Sequence, residues 1–306
     1  MTQLDRSPAA ETVPHAAESP PRAAASLLRP DRRALRGRPP VLVAMAWLWL
    51  ALIVLSAVFA SLLPLDDYAS SVGPVRQSPG VESIQFLGTD TIGRSQLSRL
   101  VFGAQQSLLV GVCAVLIGLV LGGLLGVLGG FFRGRVDAVI GVLTDSVLAI
   151  PPMLLLIAVT AFLERSMLTV ILGLGCLTVP TFIRVARANT LSLSQREYVD
   201  AARALGANRT RIIVRELIPN VAVPLMSYAF LITGVVIVAE GTLSFLGLGI
   251  PPPDPSWGGM IRDGRDYLAT DPYLIMTPAL VLSLTVLALN VVGDHARMRY
   301  EGGRRQ

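Results

Sequence analysis

Beyond residue 40 the chain is a series of long apolar runs separated by short polar breaks. Six of these runs approach the ~20 residues that a helix needs to cross a hydrocarbon layer. They are Val41–Leu63, Gln105–Gly129, Val139–Leu163, Met167–Ile183, Val221–Leu246 and Pro272–Val292, the fourth being the shortest. Lipid supplies no hydrogen-bond partners, and a helix satisfies its backbone within one segment. The pattern therefore predicts an all-α fold, a polytopic membrane protein with six transmembrane helices. Residues 1–40 carry Ala, Pro, Ser and Arg with almost no large apolar side chains, so a disordered tail is expected there. The first run starts too deep in the chain for a cleaved signal peptide and is read as a retained span. The expected organisation is a tail over 1–40, a first helix and external segment over 41–104, a five-helix core over 105–294 and a second tail over 295–306.

The runs are not uniform. Gly118, Gly122, Gly126 and Gly130 recur at four-residue spacing, which leaves one helix face nearly bare and permits close helix packing. Pro151 and Pro152 interrupt the third run, Pro180 the fourth, Pro224 the fifth and Pro278 the sixth. Each removes a backbone donor and favours a kink. Ordinary bundle packing accounts for any one of these; together they fit a bundle that opens and closes.

Composition narrows the function. Hydrophobic side chains make up 52% of the chain and charged ones 15%, a balance that suits a bilayer. All 26 basic residues are Arg. Without Lys there is no Walker-type phosphate loop and no Schiff-base amine. His15 and His295 lie near opposite ends, so no His-rich metal spacing exists. No catalytic centre, metal or cofactor is expected on this chain. Cys113 and Cys176 fall inside apolar runs and read as small core hydrophobes. The net charge of +5 reflects orientation rather than nucleic-acid binding. With the N-terminus in the cytoplasm, twenty Arg fall inside and six outside. Both termini and the loop 184–220 are then cytoplasmic.

That loop is patterned. Tyr198, Ala201, Ala202 and Leu205 recur at i, i+3, i+4 and i+7 and share one helix face, kept flat by its alanines. Gly206 suits the left-handed residue that ends a helix, and Asn208 can cap the next. Ile212, Ile213 and Leu217 give that second helix an apolar side, and Pro219 is expected to close the unit before the fifth span. The pattern alone fits either a hairpin lying on lipid headgroups or an element that docks a partner.

The segment Asp200-Ala201-Ala202-x-x-x-Gly206 followed by Ile218-Pro219 resembles the EAA loop of bacterial ABC importer permeases. Asp200 stands where Glu is usual, Ile218 where Leu is common, and Glu216 at a position often apolar. Further blocks in the family order resemble the dipeptide, oligopeptide and nickel permeases. They are FLGTDTIGRSQLSRLVFGAQQSLLVG over Phe86–Gly111, LSFLGLGIPPPDPSWGG over Leu243–Gly259, and Leu289 to Asp294. The resemblance covers roughly residues 40 to 300 and is to the C-type subunit. It implies a MetI-like fold in a bacterial cell membrane and a homologous permease partner forming the other half of the path. It also implies an external solute-binding protein and two cytoplasmic ATPase subunits that carry the ATP and Mg. In such a subunit Glu197, Tyr198, Asp200, Ala201, Ala202, Leu205, Gly206, Ile212 and Pro219 would form the ATPase-docking element. The cargo would be peptides or a related small solute such as nickel.

Asp145 and Glu240 are the only carboxylates inside the predicted spans. An intramembrane charge turns to protein or water, so both are candidates for the pathway, or else for helix–helix hydrogen bonds. Asp90 and Arg94 are expected to pair and pin the chain before the second span. Trp257, with Asp254 in the same Pro-rich turn, is read as an interfacial anchor, whereas the resemblance implies a contact for the binding protein. The alternative function is an ion- or proton-coupled secondary transporter. Only two intramembrane acids and no clear inverted repeat support it.

Overall fold

The computed structural model describes residues 40–80 and 86–303. Except for Pro40, the predicted N-terminal tail lies outside them. The elements are α1 (Pro40–Val58), α2 (Gln96–Phe132), α3 (Gly134–Leu148), α4 (Pro152–Phe162) and α5 (Met167–Leu193). There follow α6 (Glu197–Ala204), α7 (Arg209–Phe245), α8 (Trp257–Gly264) and α9 (Tyr273–Gly303). No strand occurs among the described residues. Five of the helices are long and apolar enough to cross a membrane, and the bent pair α3–α4 makes a sixth if counted as one span.

Local sequence sets the ends. Ser95, Ser166 and Ser256 each accept a backbone N–H from three residues on, capping α2, α5 and α8. Pro152 opens α4, where its missing N–H costs nothing. Large apolar side chains such as Leu48, Leu124 and Leu280 point outward, as expected where the surrounding solvent is lipid rather than water.

The glycine ladder of α2 packs on α5. A Cβ at Gly122 would meet the Val179 carbonyl at 2.5 Å, one at Gly126 the Ile183 carbonyl at 2.5 Å, and one at Gly130 the Thr190 Cβ at 2.8 Å. The close approach lets Thr178 Oγ1 on α5 donate to the Ala114 carbonyl of α2 at 3.1 Å. On the other flank α7 packs on α9, and α1 packs on α9, where Trp49 Nε1 donates to Thr285 Oγ1 at 3.2 Å.

Several boundaries differ from the sequence pattern. Helix α2 starts at Gln96 rather than Gln105, because its polar first turns are buried under the external segment instead of lying in water. Helix α5 runs past Ile183 to Leu193, which puts Arg184 and Arg187 on the helix, each paired with an Asp of α3. The third span is broken: α3 and α4 meet at 77°, since Pro151 and Pro152 give the preceding carbonyls no donors. Pro219 does not close the loop, because α7 continues through it from a π-helical turn over Ile212–Leu217. Such a wide turn relieves the clash that a proline ring imposes on the carbonyl four residues earlier. The predicted C-terminal tail continues α9 as far as Gly303.

Candidate functional site

At one end of the bundle, α6 packs on the first turns of α7. Val199 is its only buried residue, at 0% exposure, and it packs with Leu193, Ile212, Ile213 and Leu217. Tyr198, Ala201 and Leu205 are exposed and Ala202 is half-buried; Leu205 is 89% exposed. The face read from the sequence is therefore largely exposed, most of all at Leu205, on a short helix anchored by Val199. Glu197, Asp200 and Pro219 are also exposed, and Asp200 pairs with Arg203 at 2.8 Å.

The turn after α6 is tightly specified. Gly206 has φ +80°. Its N–H donates to the Arg203 carbonyl, and the Ala207 N–H donates to that of Ala202, both at 3.0 Å. This is the pair of bonds that closes a helix with a left-handed residue. Asn208 Oδ1 then accepts the Arg211 N–H at 2.8 Å and starts α7. Ile212 departs from the docking assignment. It is buried because the apolar side of the second helix faces the bundle, where it covers Val199.

At the opposite end, the segment before α2 and the segment around α8 form a polar lock. Arg94 Nε donates to Asp90 Oδ2 at 2.6 Å, Arg99 lies 3.4 Å from the same oxygen, and Asp263 completes the cluster. Asp90 and Arg94 pair as expected, and both are buried. Tyr273 Oη donates to this segment, and Arg76 pairs with Asp271 at 3.0 Å. Asp254 is half-buried and accepts the Tyr68 hydroxyl at 3.0 Å. That bond, with burial and the charge of Asp254 adding to it, holds the Tyr68 proton and raises its pKa above the usual 10.0.

Two residues read from the sequence as pathway or surface contacts are buried instead. Trp257 is fully buried, and its Nε1 donates to the Leu100 carbonyl at 3.1 Å. A buried indole needs such a partner, so Trp257 is a core residue and not a surface contact. Glu240 is likewise 0% exposed and faces no open path. It accepts Ser107 Oγ at 3.0 Å and Ser244 Oγ at 2.6 Å, joining α2 to α7. Ser107 Oγ also accepts the Trp257 N–H at 3.4 Å, which ties α8 into the same network. The sequence signal for this was the serines themselves, but they are spread over three segments.

Glu240→Ala removes the shared acceptor and leaves a cavity, so the unfolding midpoint should correspond to about 3 kcal/mol of lost stability. Glu240→Gln keeps an acceptor and should lose less than half of that while importing normally. Thermal unfolding in detergent, with cargo uptake, checks both. Loss of uptake by a stable Glu240→Gln protein would return this residue to the pathway.

Asp145 lies on α3, paired with Arg184 of α5 at 2.7 Å. One turn nearer the end that carries α6, Arg187 makes a two-point contact with Asp137. Among the described residues no group of His, Cys, Asp and Glu could hold a metal ion.

A bundle of five to six membrane-length helices, broken once by prolines and carrying a short anchored helix at one end, is the architecture of a membrane permease subunit. Residues 115–300 match the binding-protein-dependent transport system inner membrane components, and the chain belongs to that family. It is 36% identical over 252 residues to the glutathione transport system permease protein GsiD of Pectobacterium atrosepticum, covering 82% of this chain and 84% of that one. It is 35% identical over 298 residues to a putative peptide transport system permease protein of Brucella suis, covering 97% and 96%. The di/tripeptide transport system permease protein DppC of Pseudomonas aeruginosa is 36% identical over 255 residues. A chain of the MetNI methionine ABC transporter in an inward-facing conformation superposes with a TM-score of 0.56 at 20% identity, covering 66% of this chain and 96% of that one. That likeness establishes the MetI-like fold.

Proposed function

We propose that this protein is one permease subunit of an ATP-driven importer of short peptides. The observation that carries the reading is the exposed Tyr198–Ala201–Leu205 face, held rigid by buried Val199 and the Gly206 turn. An apolar surface on an anchored helix suits a docking partner better than water. The arginine bias puts this end, and both termini, in the cytoplasm. There it would meet two ATPase subunits, which bind ATP and Mg and carry out the hydrolysis. The opposite end, with Asp254 at its surface, would receive cargo from an external binding protein. A homologous permease would supply the other half of the path. ATP binding stabilises one of two bundle states through the docking surface, and alternating access follows from that difference. The peptide cargo is supported by the glutathione and peptide permeases to which the chain is similar over most of its length.

The test is co-purification and transport. A tagged chain should retain an ATPase, and the assembled system should import a labelled short peptide with ATP. Gly206→Pro demands φ near −65° where φ is +80°, and it removes the bond to Arg203. It should lower ATP-dependent uptake by more than about tenfold, the equivalent of ~1.4 kcal/mol of coupling. Unchanged uptake, or a chain that never retains an ATPase, defeats the reading.

A further inference from the structure

The Asp145–Arg184 pair is placed where a charged pair is hard to explain structurally. Its side chains are 70% and 60% exposed. Arg184 lies nine residues before the end of α5 at Leu193, about 14 Å along the axis at ~1.5 Å per residue. Asp145 lies eleven residues into α3, about 17 Å from Gly134. Helix α5 has 27 residues and is about 40 Å long, so a hydrocarbon layer ~30 Å thick centred on it takes in Arg184. Ionisable groups at such depth turn to a bundle interior or to water, not to lipid. Within this chain neither side chain is interior.

A second observation points the same way. The break between α3 and α4 follows within a turn and a half, and Ala149, Ile150, Pro151 and Pro152 are all exposed. Ala149 is four residues after Asp145 and so shares its face. Irregular backbone at membrane depth is tolerated only against protein or a water-filled cavity. The charged pair and the broken backbone thus mark one face of α3 as turned away from lipid, towards water or a partner subunit.

We propose that this face lines the translocation path, and that Arg184 and Asp145 separate to receive the carboxylate and the ammonium of a passing zwitterionic peptide. The inference rests on the peptide-importer reading above. A guanidinium presents a planar fork that fits a carboxylate at two points, and Asp145 accepts from the ammonium. An exposed ion pair holds little net free energy, so it opens readily and the cargo is not trapped. The neighbouring Asp137–Arg187 contact, less exposed and two-point, keeps α3 on α5 while the outer pair exchanges.

The experiment uses the complete transporter, with its ATPases and binding protein, in proteoliposomes supplied with labelled tri-alanine. Arg184→Gln, Asp145→Asn and the double variant should each lower uptake by about tenfold, the loss of one charge-assisted contact or more, while binding-protein-stimulated ATP hydrolysis persists. A purely structural pair makes the opposite prediction: removing both charges leaves none unpaired, so the double variant recovers. Recovery overturns the inference alone, whereas a wild-type transporter that imports no tri-alanine overturns the peptide reading and the inference with it. In a Cys113→Ala, Cys176→Ala background, Asp145→Cys should react with a charged, water-soluble thiol reagent, and saturating tri-alanine should slow the reaction. Absence of labelling means that the face is covered, which also overturns the inference.

Discussion

Gly126→Leu should cost the protein about 3 kcal/mol or more, because it drives a side chain into backbone that cannot move aside. The Cβ alone would sit 2.5 Å from the Ile183 carbonyl and 2.6 Å from the Ala186 Cβ. Neither is the far end of a flexible side chain, so α2 and α5 must separate. Separation costs contacts along the whole ladder, since a Cβ at Gly122 or Gly130 would also lie close against α5, at 2.5 and 2.8 Å. It also draws Thr178 away from the Ala114 carbonyl. Gly141 is the internal control. It lies in α3 with nothing within 4 Å of an added Cβ, and Gly141→Ala should stabilise by about 0.5–1 kcal/mol through helix propensity alone. Thermal unfolding of the two purified variants in one detergent reads both effects. Midpoints that fall by similar amounts would show that the ladder is not a packing device.

Much of this was legible because it is local. Span existence follows from run length, the Gly206–Asn208 turn from residues that suit two adjacent caps, and the glycine ladder from its period. What was not legible depends on distant partners. Glu240 reads as a pathway acid until Ser107, 133 residues away, is seen to donate to it. Trp257 reads as a surface aromatic until Leu100 supplies its acceptor. The length of α5 was underestimated because Arg184 and Arg187 look like loop residues, and nothing local shows that two aspartates of α3 meet them. Ile212 reads as a docking residue for a related reason, although it is buried. An apolar stripe shows that a helix has a face to cover but not which neighbour covers it. Val199 stands out little in the sequence, as a single aliphatic on a helix of alanines and charges. Its β-branched side chain, off the Tyr198–Leu205 stripe, was the available signal.

The two sides of α6 should respond in opposite ways to the same substitution. Leu205→Asp changes a side chain that is 89% exposed and touches little of this chain, so the subunit should fold and unfold as the parent does. Across a docked interface, the same change removes an apolar anchor and buries an unpaired charge. Anchors of that kind cost ~2 kcal/mol or more when lost, roughly thirtyfold in affinity. Retention of the ATPase on a tagged complex, and uptake with it, should fall accordingly. Val199→Asp places a carboxylate at a site with 0% exposure among Leu193, Ile212 and Leu217. A buried charge without a partner costs several kcal/mol, so α6 should detach from α7. Proteolysis should then cut within 194–208 before any loss of the ATPase is scored. The pair separates docking from folding. If Leu205→Asp retains the ATPase at parental affinity, the exposed face of α6 does not bear the contact. If Val199→Asp leaves the loop as protease-resistant as the parent, burial of Val199 is not what holds α6 in place.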